Sequence, residues 1–353
     1  MGKMKYKSVL SAFIVLMAVT LLTSCQNQDW EFSDYEYQSV YFSYQYPVRT
    51  IILGEYLYNN ESDNDHQFRV MATTGGVYSN NNDVMIDYEI DQEMVDGFEF
   101  GGTGNPIQAL PNNYFEIISN GDQMVIPRGE LAGGLTIQLT DEFFQDPDAI
   151  NTTYVIPVKL LNVANADTIL QGTPNPFASN PRRGVADDWE VEPKDYTFYA
   201  IKYINHYDGF YLRRGEDMFT DENGDTETRI RRTESVVKDE VVDLLTQSLT
   251  QVSFPYTIPD SDGNDINITI LLDFDDQGNI TVSDDSDEYT ASGSGTFVNQ
   301  SESEESWGEK NRNAIYLDYV VEWEQSQRRV ETADTLVLRD RGIGLETFSP
   351  ELP

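Results

Sequence analysis

DYTFYAIKYINHYDGFYLRRGEDMF, residues 195–219, is the stretch that decides how this chain folds. Two alternating runs meet at Asp208-Gly209, a dipeptide suited to a tight hairpin turn, and Asn223-Gly224 supplies a second such turn between MFTD and TETRIRR. Turn signals recur at Asp262-Gly263 before INITILLDF and at Gln277-Gly278 before NITVSD. EYTASGSGTFVNQ, NAIYLDYVVEW and RRVETADTLVLRD complete the series. The spacing predicts about eight or nine strands in sequential hairpins, a meander that removes its own edges by closing into an up-and-down barrel. VVKDEVVDLLTQSL, residues 236–249, is the one segment here expected to be helical.

The same grammar extends upstream. VYFSYQ starts at Val40, Pro47 interrupts, and TIILGEY resumes, the pattern of an edge strand broken by proline. HQFRVMATT, a Gly75-Gly76 turn, DVMIDYEI, YFEIIS, MVIP, GLTIQLT and TYVIPVKLLNV follow. These are short runs of β-branched and aromatic residues with no 3.6-residue period, and only Asp141 to Ala149 could form a helical turn. Such spacing predicts a β-sandwich over residues 40–170. Residues 171–194, QGTPNPFASNPRRGVADDWEVEPK, carry four prolines and no alternation, so they are expected to be a stiffened connector. A barrel over 195–353 completes an all-β chain; a loop across the barrel mouth is the other reading of the connector.

Composition narrows the function classes. The 61 acidic against 23 basic side chains give a net charge of −38, a field that repels nucleic acid and anionic membrane surfaces. The chain should nonetheless fold, because 21 Tyr, 17 Phe and 4 Trp are more aromatic surface than a disordered acidic chain carries. Its single cysteine, Cys25, allows no internal disulfide. Ahead of it stand Lys3, Lys5 and Lys7, an apolar run from Val9 to Leu22, and Leu22-Thr23-Ser24. That run falls short of the roughly 20 residues of a membrane-spanning helix, and the order is that of an export signal.

The segment ending at Cys25 resembles the lipobox of bacterial lipoproteins, in which the cysteine is lipidated and becomes the mature N-terminus. The resemblance implies a signal peptide over 1–24, a flexible tether over 25–39, and contact with the membrane through the lipid alone. The acids of the tether resemble the surface-export signal of Bacteroidetes lipoproteins, which implies an outer-membrane, cell-surface location. YFSYQYPVRTIILGEY, DNDHQFRVMATTGGVYSNNNDVMIDYEID, LPNNYFEI, IPRGELAGGLTIQLTDEFF and TYVIPVKL together resemble a module of unknown function. That module stands at the N-terminus of many such lipoproteins and looks like the domain before the catalytic barrel of some family 18 endo-N-acetylglucosaminidases. YDGFYLRRGE, SGSGTFV, SWGEKNR, LDYVVEW and DTLVLRDRG resemble the C-terminal module paired with it. The resemblance implies an immunoglobulin-like sandwich, followed here by a lipocalin-like (calycin-type) barrel, and association with starch-utilisation-type glycan capture. It implies no catalytic residue.

Few constellations point to chemistry. The two histidines, His66 and His206, lie in different halves without metal-ligand spacing, and no G-x-S-x-G or H-E-x-x-H occurs. Glycoside hydrolysis needs only two carboxylates across a cleft, but in so acidic a chain their spacing carries no information, and no α/β-repeating region could build a family 18 barrel. The chain is therefore expected not to be an enzyme. Asp221, Asn223 and Asp225 match the first ligand positions of a calcium loop, yet Thr226 and Arg232 stand where its glycine and glutamate belong, and an Asn-Gly hairpin explains the same residues. Asp260, Asp262 and Asp265 form a similar turn. No cofactor is expected beyond such adventitious calcium.

Sugar sites use aromatic faces against the apolar C–H faces of pyranose rings. Trp307 lies in the polar stretch ESEESWGEKNRN and Trp189 in the connector, each either a binding face or a packed lid. Tyr207 and Tyr211 flank the first barrel hairpin, where alternation makes at least one of them core. Trp323 shares a face with Ile315, Leu317, Tyr319 and Val321 and reads as core, while Trp30 belongs to the tether. The leading expectation is non-catalytic glycan binding in a polysaccharide-utilisation system, with an outer-membrane transporter and other surface lipoproteins as partners. An adhesive or structural protein-binding role is the second reading, and a glycosidase the third.

Overall fold

The computed structural model describes residues 37–353 other than 120–121, 260–263, 302–307, 309 and 326. Two sheets face each other in the N-terminal half. One orders Thr168–Ile169, Ser39–Tyr41, Gln67–Gly75, Ala132–Leu139 and Phe115–Ile117. The other orders Glu346–Thr347, Pro47–Ile52, Tyr196–Ile204, Tyr154–Ala164, Val84–Ile90 and Gln123–Ile126. Along Gln67–Gly75 every second residue is buried, so Phe68, Val70 and Ala72 meet Leu135 and Ile137 of the neighbouring strand and Ile86, Ile156 and Val158 of the opposite sheet. Burying each of the larger side chains stabilises the sandwich by about 1.5–3 kcal/mol. The helical turn expected near residue 141 is present as Asp141–Gln145 and Pro147–Ile150.

Two expectations fail for identifiable reasons. Tyr196–Ile204 is not the first barrel strand: it lies inside the second sandwich sheet, parallel to Pro47–Ile52 and antiparallel to Tyr154–Ala164. Both of its faces are apolar. Ile201 and Tyr203 enter the main sandwich core, while Tyr196, Phe198 and Ala200 pack outside it with Phe98, Phe100 and Val155. A strand buried on both faces belongs within a covered sheet rather than in a barrel wall. The segment expected to be helical instead forms the strand Glu240–Thr246, preceded by a single 3-10 turn at Val236–Lys238. There Val242, Leu244 and Thr246 are buried at every second position, and Val242 pairs with Tyr211. Its β-branched residues pack well in a barrel wall, which outweighs the weak helical pattern.

The connector is held to the sandwich. Thr173–Pro174 pairs with Trp189–Val191, Arg183 makes a two-pronged ion pair with buried Asp195 at 2.9 and 2.5 Å, and Arg182 lies 4.5 Å over the Phe98 ring. Pro47 opens its strand, and the two residues Glu346–Thr347 cover the edge expected to be free.

Gly209–Thr220 begins the C-terminal barrel. Its first half pairs with Glu240–Thr246 and its second with Thr226–Arg231, so these two short strands share one position in the wall. Gln251–Pro259, Asp265–Phe274, Asn279–Ser283, Thr290–Ser301, Arg312–Trp323 and Arg328–Asp340 follow in order, and the last pairs back onto Gly209–Thr220 to close eight strands. Inward side chains from the whole ring pack together, Phe254, Ile270, Leu272, Ile315, Val330 and Leu336 being fully buried. One part of the interior is charged. Arg213, with no exposed side chain, donates to Asp334 at 3.0 Å and lies 4.2 Å over the Tyr256 ring. Arg231 pairs with both Asp217 and Asp334 at 2.7–2.8 Å, and the Tyr319 and Thr332 hydroxyls donate to Asp334 and Asp217.

Sandwich and barrel meet at a polar knot. The Asn205 side chain donates to the carbonyls of Ser248 and Gln251 and accepts the N–H groups of Tyr207 and Asp208. Arg341, 6% exposed, donates to the carbonyls of Leu53, Glu55, Asn205 and His206 at 2.5–3.3 Å. Gly54 takes φ +83°, and a Cβ there would stand 2.6 Å from the His206 ring, so the close approach requires glycine twice over.

Two predictions follow from this junction. Arg341→Met keeps the apolar stem but orphans four carbonyls, and should lower unfolding stability by about 3 kcal/mol, read from the urea midpoint. An unchanged midpoint would show that the knot holds without it. Asp243 is pushed up to about 6, by burial first and then by the charge of Asp208. Its folded value lies above the unfolded one, so the stability it contributes is present below pH 3.8 and is lost as the pH rises through about 6. Asp243→Asn should therefore raise the melting temperature at pH 7 with the gain vanishing by pH 4; an equal shift at both would refute the assignment.

Candidate functional site

A cleft of about 830 Å³ opens where the loop after Pro47–Ile52 faces the barrel end formed by residues 310–313 and 338–343. The loop is tied down at its base. Asn60 donates to the carbonyls of Ile52 and Gly54, both at 2.8 Å, and Asn64 accepts the Gly54 N–H at 2.7 Å. Asp63, 2% exposed, accepts the Ile52 N–H and pairs with Arg49. What the base leaves outside is the tip, Tyr56-Leu57-Tyr58. Leu57 and Tyr58 are 73% and 69% exposed, and the rings of Tyr56 and Tyr58 stand edge to face at 5.7 Å.

The barrel side of the cleft is polar. Gln300 takes φ +46°, its main-chain N–H donates to the Asn313 side-chain oxygen, and its side-chain amide donates across to the Glu55 carboxylate of the sandwich loop at 2.5 Å. Asp340 accepts the Gly342 N–H at 3.0 Å and lies 3.4 Å from Arg339. Lys310, Asn311 and Arg312 complete this rim. His206 also lines the cleft; burial lowers its pKa, and the neighbouring Arg341 charge adds to the effect, so the ring is neutral at neutral pH. An aromatic tip over a rim of amides and guanidinium groups can hold a ligand with an apolar face and a polar edge.

The candidates drawn from sequence do not gather here. Cys25, Trp30, Asp260, Asp262 and Trp307 lie outside the described residues. Trp189 sits in the connector hairpin, half-buried, its indole N–H donating to the Arg182 carbonyl at 3.0 Å. Tyr207 stacks on Phe274 at 3.6 Å, and Tyr211 is 1% exposed with its hydroxyl donating to the Tyr207 carbonyl at 2.9 Å, so both pack the barrel end. Trp323 packs on Tyr289 against the barrel core. The Asp221 carboxylate accepts the N–H groups of Asn223 and Asp225 at 2.8 and 2.9 Å, which makes this segment a self-satisfied turn. Asp265 opens a barrel strand opposite Pro259. His66 packs on Phe144, with ring centroids 4.1 Å apart.

Sequence reading passed over Tyr56, Leu57 and Tyr58, which had been taken into the run TIILGEY and its end. The available signal was three large apolar residues between Gly54 and Asn59-Asn60-Glu61, with no alternating partner to bury them.

Comparison with known proteins adds the following. The family "Domain of unknown function (DUF5627)" matches residues 206–342, and a family described as an N-terminal domain matches residues 35–167. A crystal structure of a protein of unknown function from Bacteroides ovatus is 39% identical with a TM-score of 0.84, over 90% of this chain and 100% of that one. An auxiliary nutrient binding protein from Bacteroides thetaiotaomicron is 14% identical with a TM-score of 0.38, over 82% of this chain and 90% of that one. A multidomain protein including DUF1735 from Bacteroides ovatus is 14% identical with a TM-score of 0.40, over 86% of this chain and 94% of that one. The first shares this architecture throughout, and the other two superpose too poorly to inform it. No curated protein matches the chain.

Proposed function

The chain belongs to the family of the Bacteroides ovatus protein of unknown function, and on that premise we propose that it is a non-catalytic glycan-binding lipoprotein of a polysaccharide-utilisation system. The observation that carries this reading is the Tyr56-Leu57-Tyr58 tip, with Leu57 and Tyr58 exposed and Tyr56 half-buried, beside the polar barrel rim. Pyranose rings stack their C–H faces on such aromatics, and amides, lysine and arginine bond the hydroxyl groups around the ring edge. A volume of about 830 Å³ accommodates a short oligosaccharide segment. Among the described residues the carboxylates lining the cleft, Glu55 and Asp340, are engaged in holding its walls. A lipid on Cys25 tethers the protein to the outer membrane at the cell surface, and an outer-membrane transporter with other surface lipoproteins takes the captured glycan onward.

The mature protein lacking its lipid should bind a member of a panel of host and plant glycans. Tyr58→Ala should weaken that binding at least about tenfold without altering the unfolding midpoint, because the side chain is 69% exposed. Absence of binding to every glycan by a folded protein would move the assignment to adhesion or assembly. The tether is tested separately: Cys25→Ala should shift the full-length protein from the membrane to the soluble fraction, and continued membrane partitioning would sink the lipid anchor.

A further inference from the structure

We infer that the sandwich carries a second sugar subsite, a polar groove at the opposite end of the strand Pro47–Ile52 from the cleft, suited to neutral polyhydroxylated sugars of the same glycan chain; this rests on the glycan-capture reading above. The groove has a volume of about 710 Å³. Its apolar lining is Phe100, 5% exposed, and the half-buried Phe348, with ring centroids 5.0 Å apart edge to face, and Val48 beside them. The polar lining comes from separate segments. Asn105 belongs to the hairpin of Glu99–Phe100 and Asn105–Pro106, Gln108 to the short strand after it, Asn151 and Thr153 to the turn before Tyr154–Ala164, and Thr347 to the segment that returns from the barrel.

The main chain of these walls is fixed, and the side chains are left over. The Gln108 N–H donates to the Thr153 carbonyl at 3.1 Å, the Gly101 N–H to the Ser349 carbonyl at 2.7 Å, and Glu346–Thr347 pairs with Pro47 and Val48. Among the described residues the side-chain amides of Asn105, Gln108 and Asn151 bond to no protein group. Asn60, Asn80, Gln92 and Asn205, by contrast, give theirs to main-chain carbonyls. An amide both donates and accepts, as does every hydroxyl of a neutral sugar, so three free amides around an apolar patch match a ring with hydroxyls at its edge. Asp148 and Glu346, the latter paired with Lys202, add acceptors, and among the described residues no cation lines the groove to draw an acidic sugar. One stretch of chain joins the two sites. Arg341 pins its start, Gly342 and Ile343 line the cleft, Leu345 stands 79% exposed, and Glu346, Thr347 and Phe348 line the groove. The five steps from Ile343 to Phe348 reach at most about 18 Å, a span that a few sugar units bridge. A polymer seated in the cleft makes the second contact as an intramolecular event, which raises its affinity over that of a short oligosaccharide.

Calorimetric titration of the mature protein tests this by comparing starch with maltotriose, mannan with mannotriose and laminarin with laminaritriose. At least one polymer, with affinity expressed per bound protein, should bind at least about tenfold more tightly than its trisaccharide. A Gln108→Ala, Asn151→Ala variant, altering two exposed side chains, should remove that gain with the urea midpoint unchanged. Asn105→Ala alone, also at an exposed position, should lower the gain and keeps the test readable if the double variant fails to fold. A polymer that binds no more tightly than its trisaccharide, or a gain with length that persists in both variants, would overturn the groove while leaving capture at the cleft standing. A folded protein that binds none of the three polymers would overturn the neutral-sugar groove, and glycan capture falls with it only if the wider panel of host and plant glycans is also unbound.

Discussion

Everything proposed for this protein depends on Arg341. One buried guanidinium gathers the carbonyls of Leu53 and Glu55 from the sandwich and of Asn205 and His206 from the turn into the barrel. Burying a permanent charge is costly, and here the cost is offset by dipoles that all point at it. The consequence is geometric. The loop bearing Tyr56 and Tyr58 and the rim bearing Lys310 and Arg312 belong to different halves of the chain, yet the carbonyls that Arg341 holds lie next to both. Asn205, His206 on Gly54 and the Gln300 to Glu55 bridge reinforce the same alignment.

The barrel interior tells a related story about charge. Arg213, Arg231, Asp217 and Asp334 form a buried network with two hydroxyl groups and an aromatic face. Such networks seldom add much net stability over apolar packing, but they are unforgiving of mispairing. Shifting Gly209–Thr220 by one residue against Arg328–Asp340 would turn Arg213 outward and strand Asp334. The cluster therefore specifies the register with which the barrel closes.

How much of this could be read from sequence follows from which signals are local. Alternation is local, so most strands of both halves, the Asn223-Gly224 hairpin and the inward face of Ile315 to Trp323 were legible, whereas the Asp208-Gly209 hairpin was not formed, because Tyr196–Ile204 pairs within the sandwich instead of with Gly209–Thr220. Tyr196–Ile204 was misplaced because its two apolar faces report burial on both sides without saying against what. Glu240–Thr246 was misread because Val236 to Leu245 fits a helical period and a strand period nearly equally, and only pairing with Tyr211 decides it. The cleft was illegible for a deeper reason. Tyr58 and Lys310 are distant in sequence, and a lysine in an acidic chain means nothing until its neighbours in space are known.

The return of the chain after Asp340 has one more implication. Glu346–Thr347 pairs beside Pro47 and Val48, and Lys202 reaches Glu346 at 2.8 Å. The sandwich is thus left after Ile204 and rejoined at Glu346, both on strands paired with Pro47–Ile52. Residues 205–345 are in effect a cassette inserted into a single host fold whose entry and exit strands flank the same strand, Pro47–Ile52. A lineage that exchanged this cassette could change what is captured while keeping the same mount, provided that the new insert presented an equivalent of Arg341 to the carbonyls waiting at Leu53 and Glu55.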